Sequence, residues 1–220
     1  MSGTAHPVER RLLLATRSAG KLRELAPLLR EAGYVPVDLE TAGIPEAPTE
    51  SAIEAHDTFE ANALAKARHF FAVSGIPTLA DDSGLCVDAL GGRPGVRSKR
   101  WSARHDLTGQ ALDDANNAAL LAALTADMSR AAAYVCAAAY VDDDGELVRR
   151  GEVRGTILAE ARGTGGFGYD PYFLSHELEQ TFAEVTREEK ARVSHRARAV
   201  RAVLSALGAN AAHAMRTGGR

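Results

Sequence analysis

AAAYVCAAAYV, residues 131–141, is the stretch on which the fold turns. Six of its eleven residues are alanine, the strongest intrinsic helix former. The residues beyond it point the other way. DDDG at 142–145 is a turn-forming run, and ELVRRGEV at 146–153 reads as a returning strand. The pattern therefore predicts a strand over 133–141 and an antiparallel hairpin.

Upstream, RLLLAT (11–16) is a short apolar run passing into small polar residues, as a buried strand entering a loop does. Leu22, Leu25, Leu28 and Leu29 then repeat at helical spacing, and Gly33 closes that helix. A second helix is expected over about 58–74. Asp57 and Glu60 stand at capping-box spacing, and Phe59, Leu64, Ala67 and Phe71 form one face. IPTLA (76–80) reads as a strand ending at two aspartates, and GGRPG (91–95) as a loop. Residues 112–124 read as a third helix. A long helical pattern closes the chain, with Thr186 and Glu189 at capping-box spacing and Val200, Val203, Leu204 and Leu207 as its core stripe. The fold class expected is α/β, a mixed sheet covered by helices. Residues 11–207 form one domain, with a flexible arm at 1–10 and a flexible tail at 208–220.

The chain has 220 residues, 45% hydrophobic and 25% charged, enough to bury roughly 70% of its unfolded surface in one core. Its two cysteines, Cys86 and Cys136, make no CxxC pair, which argues against a disulfide framework or a thiolate zinc site. The seven histidines show no HxxxH or HExxH spacing. MSGTAHPVERR at the start lacks the apolar core of a signal peptide, and no apolar run reaches membrane-spanning length. A cytoplasmic protein is expected, with no membrane partner. Net charge is −3, where a nucleic-acid binder would usually be basic. Positive charge for a polyanion must then be local or supplied by a metal.

Four stretches could carry chemistry. ATRSAGK (15–21) is a strand-to-helix loop. Such a loop can aim backbone N–H groups and Lys21 at an anion; it reads equally as a polar turn. It is not a Walker A loop, since Ala15 and Leu22 stand where that pattern needs Gly and Ser or Thr. GTGGFGYDP (163–171) contains a literal GxGxxG, but Pro171 prevents the helix a dinucleotide fingerprint requires. It reads as a loop presenting Phe167, Tyr169 and Asp170 to a base, or as a connector whose rings cap the core. EEKARVSHR (188–196) offers Lys190, His195 and Arg196, either as a solvated helical face or as donors to a carbonyl or phosphate. LADDSG (79–84) sets Asp81 against Asp82. Both could face one cleft if the strand breaks at Ser83-Gly84; a Mg²⁺ ion shared with phosphates would remove their repulsion. A plain Asp-Asp-Ser-Gly turn is the other reading. No GxSxG elbow supports a Ser-His-Asp hydrolase.

In this order, ATRSAGKLRE, TFEANALAKA, LADDSGLCVDALGGRPGV, GTGGFGYDPYF and TREEKARVSHRARA resemble the inosine triphosphate pyrophosphatase family, over about residues 11–207. The resemblance implies an elongated, mixed α/β fold with an active-site cleft between two lobes, usually in a homodimer. It implies Mg²⁺-dependent hydrolysis of ITP, dITP or XTP to the monophosphate and pyrophosphate. Carried over by position, Thr16, Arg17, Ser18, Ala19, Gly20 and Lys21 would hold the triphosphate, with Lys66 reaching phosphate and Ser83 touching substrate. Asp82 and Glu54 would serve the metal, and Asp82, with Asp81 beside it, the proton transfer. Phe167, Gly168, Tyr169 and Asp170 would bracket the base, and Lys190, His195 and Arg196 would complete its pocket. The chain departs from the family pattern at Ser18 (usually Asn), His56 (usually Gly), Ala61 (usually Glu) and Ala197 (usually Gly). The alternatives are a related Maf-type pyrophosphatase, which the SHR and GGFGYDP blocks disfavour, and a nucleotide sensor that does not hydrolyse.

Overall fold

The structure, a computed structural model, describes residues 9–217. Most of the expected N-terminal arm lies outside them. Among the described residues six strands form one sheet in the order β2-β1-β3-β4-β5-β6. They are β1 (Arg11–Leu14), β2 (Val35–Asp38), β3 (Thr78–Val87), β4 (Ala131–Asp142), β5 (Gly145–Ile157) and β6 (Phe173–Ser175). β1 runs parallel to β2 and β3, while β3 to β6 are antiparallel. The alanine-rich stretch is the central strand β4. It pairs along its whole length with β5 across the expected hairpin, from Asp142↔Gly145 to Ala131↔Thr156. Helix propensity loses here because the strand is covered on both faces, where small side chains let helices approach closely.

Alternation along the sheet sorts the core. On one face Leu12, Leu14, Leu79, Cys136, Ala138 and Tyr140 pack against α1 (Ala19–Glu31) and α5 (His195–Thr217). On the other, Leu13, Ala80, Ala137 and Ala139 pack against Phe59, Ala63, Ala67 and Phe70 of α2 (Phe59–Ser74). Each fully buried leucine contributes about 1.5–3 kcal/mol. A third apolar cluster, with Leu85, Tyr134, Phe173 and Phe182, covers the far end of the sheet beside α3 (Gly109–Ala123).

Several local readings change. α2 is capped by Thr58, whose side chain accepts from the Ala61 N–H, and not by Asp57. The closing pattern is two helices: α4 (Arg187–Val193) ends where Ser194 turns extended, and α5 then begins. The capping box of Thr186 and Glu189 opens α4 as expected. α5 passes through Gly208 to Thr217, so most of the expected tail is helical; residues 218–220 lie outside the described chain. Where β5 carries Gly151, a Cβ would collide with the His195 carbonyl, so the start of α5 lies main chain against main chain on the sheet.

The largest correction concerns the aspartates. β3 does not break at Ser83-Gly84 but continues to Val87, with every residue from Thr78 paired to β4. Asp81 therefore faces the α1/α5 side with Leu79, and Asp82 faces α2 with Ala80. On the other edge β1 pairs only as far as Leu14↔Leu79. Beyond that point the Asp81 carbonyl has no strand partner and is open to side-chain donors. This is the crevice at a strand's carboxyl end where α/β sheets commonly receive ligands.

Candidate active site

The loop leaving β1 fills that crevice. Thr16 Oγ1 accepts the Ser18 N–H at 3.1 Å, and Ser18 caps α1 by accepting the Lys21 N–H at 3.3 Å. The first-turn N–H groups of α1 and the positive end of its dipole thus open at the end of β1. Lys21 reaches Asp81, 3.0 Å from Oδ2 and 3.3 Å from the main-chain oxygen. Arg17 does not turn toward this crevice. Its guanidinium is spent on both Glu50 oxygens and on the carbonyls of Ile44 and Pro45. It ties the loop at 44–50 to the end of β1.

Asp81 is 1% exposed. Its Oδ2 also takes Arg196 Nε at 3.0 Å, while its Oδ1 is buried without a partner among the described residues. Burial works against the charge, yet Lys21, Arg196 and Lys66 outweigh it and hold the carboxyl well below the usual range. The repulsion posed by the sequence is thus relieved on Asp81 by protein cations. Asp82 is set oppositely. Ser83 N–H donates to its Oδ1 and Asn62 Nδ2 to its Oδ2, each at 2.9 Å. Burial pushes this carboxyl up, against the pull of Lys21, Asn62 and Lys66.

Lys66, on α2, donates to the Asp81 carbonyl at 2.6 Å and pairs with Glu54. Burial disfavours the Glu54 charge, but Lys66 and Lys21 keep its carboxyl below the ordinary range. Asn62 ties Glu54's loop to Asp82: it accepts the His56 N–H, donates to the His56 carbonyl and holds Asp82. Three of the four departures from the expected pattern thus meet simple local demands. Ser18 serves as a cap, His56 engages through its main chain, and Ala197 packs in the core.

On the other wall Lys190 bridges Asp170 at 2.6 Å and Glu24 at 2.8 Å. Arg196 spans Asp81, Glu24 and Ser83, the last at 2.8 Å. The Phe167 ring lies near both cations, its centroid 4.9 Å from Lys190 Nζ and 5.7 Å from the Arg196 guanidinium. It also packs onto Gly20, where a Cβ would stand 3.0 Å from the ring. Phe167 and Gly168 remain partly exposed, but Tyr169 and Asp170 are buried. Tyr169 donates to the Ser98 carbonyl at 2.7 Å, and Asp170 takes the Phe167 N–H and Lys190. These two anchor the loop. The imidazole of His195 is buried, stacked on Tyr134 at 4.6 Å, with Nδ1 unpartnered among the described residues. Burial, with Arg196 and Lys190 nearby, pushes its pKa well down, so it is neutral.

Around the two aspartates, two residues escaped the sequence reading. Asn62 gave no signal beyond its amide. Glu24 did: it stands three residues after Lys21, on the same face of α1. Burial opposes its charge, but Arg196 and Lys190 keep its carboxyl below the ordinary value near 4.5. A carboxyl lowered on folding stabilises above the unfolded pKa and loses that contribution as the pH falls through the folded one. The stability gap between the native chain and Glu24→Gln is therefore widest at neutral pH and narrows below about pH 4.5. Melting temperatures across pH 3–7 check this; a gap constant over that range would refute it.

The fold and site define a mixed α/β protein in which two adjacent aspartates on the sheet lie beside a helix N-terminus and a group of buried cations. The chain belongs to the Ham1 family, whose model matches residues 12–206. It is 48% identical to a dITP/XTP pyrophosphatase of Frankia alni, over 87% of this chain and 94% of that protein. It is also 48% identical to a dITP/XTP pyrophosphatase of Mycobacterium tuberculosis, over 90% and 95%. Among solved structures, a HAM1 protein from Coxiella burnetii superposes with a TM-score of 0.77 at 34% identity, covering 90% of this chain and 98% of that one. A nucleoside-triphosphatase, dITP/XTP pyrophosphatase, from Mycobacterium abscessus gives 0.66 at 44% identity, over 88% and 98%. Among the described residues no helix is long and apolar enough to cross a membrane.

Proposed function

We propose that this chain is a nucleoside-triphosphate pyrophosphatase, hydrolysing dITP, ITP and XTP to the monophosphate and pyrophosphate. The observation that carries the reading is the placement of Asp82 beside Asp81 on β3, with Lys21 and Arg196 paired to Asp81 next to the open N-terminus of α1. The names and full-length coverage of the relatives support the substrate class.

Lys21, Lys66, Lys190 and Arg196 are four cations against the five carboxylates of Glu24, Glu54, Asp81, Asp82 and Asp170. One negative charge is left in excess, the wrong sign for a triphosphate. Glu54 and Asp82 are hard oxygen donors and too few to enclose an ion, a set that suits Mg²⁺, which keeps waters and binds phosphate oxygens. These two residues would hold it, and when bound it neutralises the phosphate oxygens as a Lewis acid. In the hydrolysis, water oxygen bonds to the α-phosphorus, the α–β P–O bond breaks, and Asp82 takes the proton. Lys21 and the N–H groups of the loop at 16–21 stabilise the leaving pyrophosphate. Asp81 keeps Lys21 and Arg196 in place.

Phe167 offers its ring to the base, and Arg196 and Lys190 offer donors to the oxygen at purine C6. An amino group at that position would leave donors unpaired, costing about 1–3 kcal/mol for each buried group. The same reading takes a cytoplasmic homodimer with no nucleic-acid or membrane partner. Its test is pyrophosphate release from ITP with Mg²⁺, from ITP with EDTA, and from ATP with Mg²⁺. Release from ITP that EDTA abolishes, and at least about tenfold slower release from ATP, is expected. Tight ITP binding without release would instead favour a nucleotide sensor, and equal rates on ATP and ITP would defeat the selectivity.

A further inference from the structure

The loop that carries Phe167 is gripped from a helix that none of the motifs includes. On α3, Asp113 and Asn117 stand four residues apart and so share a face. Asp113 Oδ2 accepts the Gly168 N–H at 2.8 Å, and Asn117 Nδ2 donates to the Gly168 carbonyl at 3.0 Å. Both polar groups of one residue are thus taken by one helix. Gly168 has φ of +63°, a left-handed conformation that glycine alone adopts without strain. Asn117 is 5% exposed, so its amide cannot exchange this bond freely for water. Gly168 lies between Phe167, whose ring faces Lys190, Arg196 and Gly20, and Tyr169, which is pinned to Ser98. Any play at Gly168 passes directly to the Phe167 ring.

We propose that Asp113 and Asn117 are positioning residues for base selection, holding Gly168 so that Phe167 keeps a fixed place over the two cations. Neither touches the reacting phosphates. Their removal therefore acts on how the base is held and not on the chemical step. The proposal rests on the reading of the chain as a purine nucleotide pyrophosphatase.

The test compares Asp113→Ala, Asp113→Asn and Asn117→Ala with the native chain. Asparagine retains an oxygen that can accept the Gly168 N–H, so Asp113→Asn should behave as native. Hydrogen–deuterium exchange of the peptide covering 163–170 should accelerate about tenfold or more in Asp113→Ala, without a matching rise in β4. KM for ITP should rise about fivefold or more with kcat within about twofold, and the ITP-to-ATP ratio of kcat/KM should fall. Asn117→Ala should move the same quantities the same way. Unchanged exchange would overturn the grip, and faster exchange with unchanged KM and ratio would overturn the role in selection. A native chain that releases no pyrophosphate from ITP would sink the role along with the functional reading, while the exchange arm still decides the grip.

Discussion

Asp82→Asn is expected to lower turnover on ITP by about two to four orders of magnitude, the range a lost general base commonly costs. The fold should survive. Asparagine has the same shape, and its oxygen can accept either the Ser83 N–H or the Asn62 amide, both at 2.9 Å in the native chain. What disappears is the proton acceptor. Pyrophosphate release and a thermal melt, taken on the same sample, separate the two effects. Near-native turnover would remove Asp82 from the chemistry.

Arg196→Ala should act on stability as strongly as on activity. Its guanidinium serves Asp81, Glu24 and Ser83 together; Asp81 is buried and Glu24 partly so. Breaking a buried ion pair from one side costs about 3–5 kcal/mol, because the remaining charge stays desolvated and uncompensated. For a chain of this size that is a fall in melting temperature on the order of 10 °C. Arg196→Lys should recover only part of it, since a single ammonium cannot present the planar fork that meets three acceptors. Urea unfolding of the three proteins measures the difference. An alanine variant as stable as the native chain would show that Lys21 and Lys190 neutralise the acids without help.

The sequence disclosed most where local chemistry decides structure. The turn at 142–145 gave away the hairpin although the alanines argued for a helix, and Thr186 with Glu189 marked the start of α4. The residues around the crevice were also mostly named, because the blocks that hold them are distinctive. What stayed hidden was direction. Adjacent aspartates in a continuous strand must face opposite sides, but a Ser-Gly step after them reads as a break until β4 is seen to pair through it. Arg17 looked like a phosphate ligand because nothing nearby in sequence announces Glu50, thirty-three residues on. Tyr169 looked presented because its acceptor, the Ser98 carbonyl, belongs to a distant segment. Glu24 shows the limit most clearly. Its spacing from Lys21 was readable, yet its two partners lie at the other end of the chain.

The bare contact at Gly151 gives the cluster a fixed datum. Side chains can swing between rotamers to absorb a misfit, but a peptide group resting on a peptide group has no such slack. The residue next to that contact is Arg196, so the reach of its guanidinium across to Asp81 is gauged from the sheet itself. A bulkier residue at 151 would wedge the helix outward and draw the arginine away from an acid two strands across the sheet. Precision among these charges is set by an atom that is missing from the neighbouring strand.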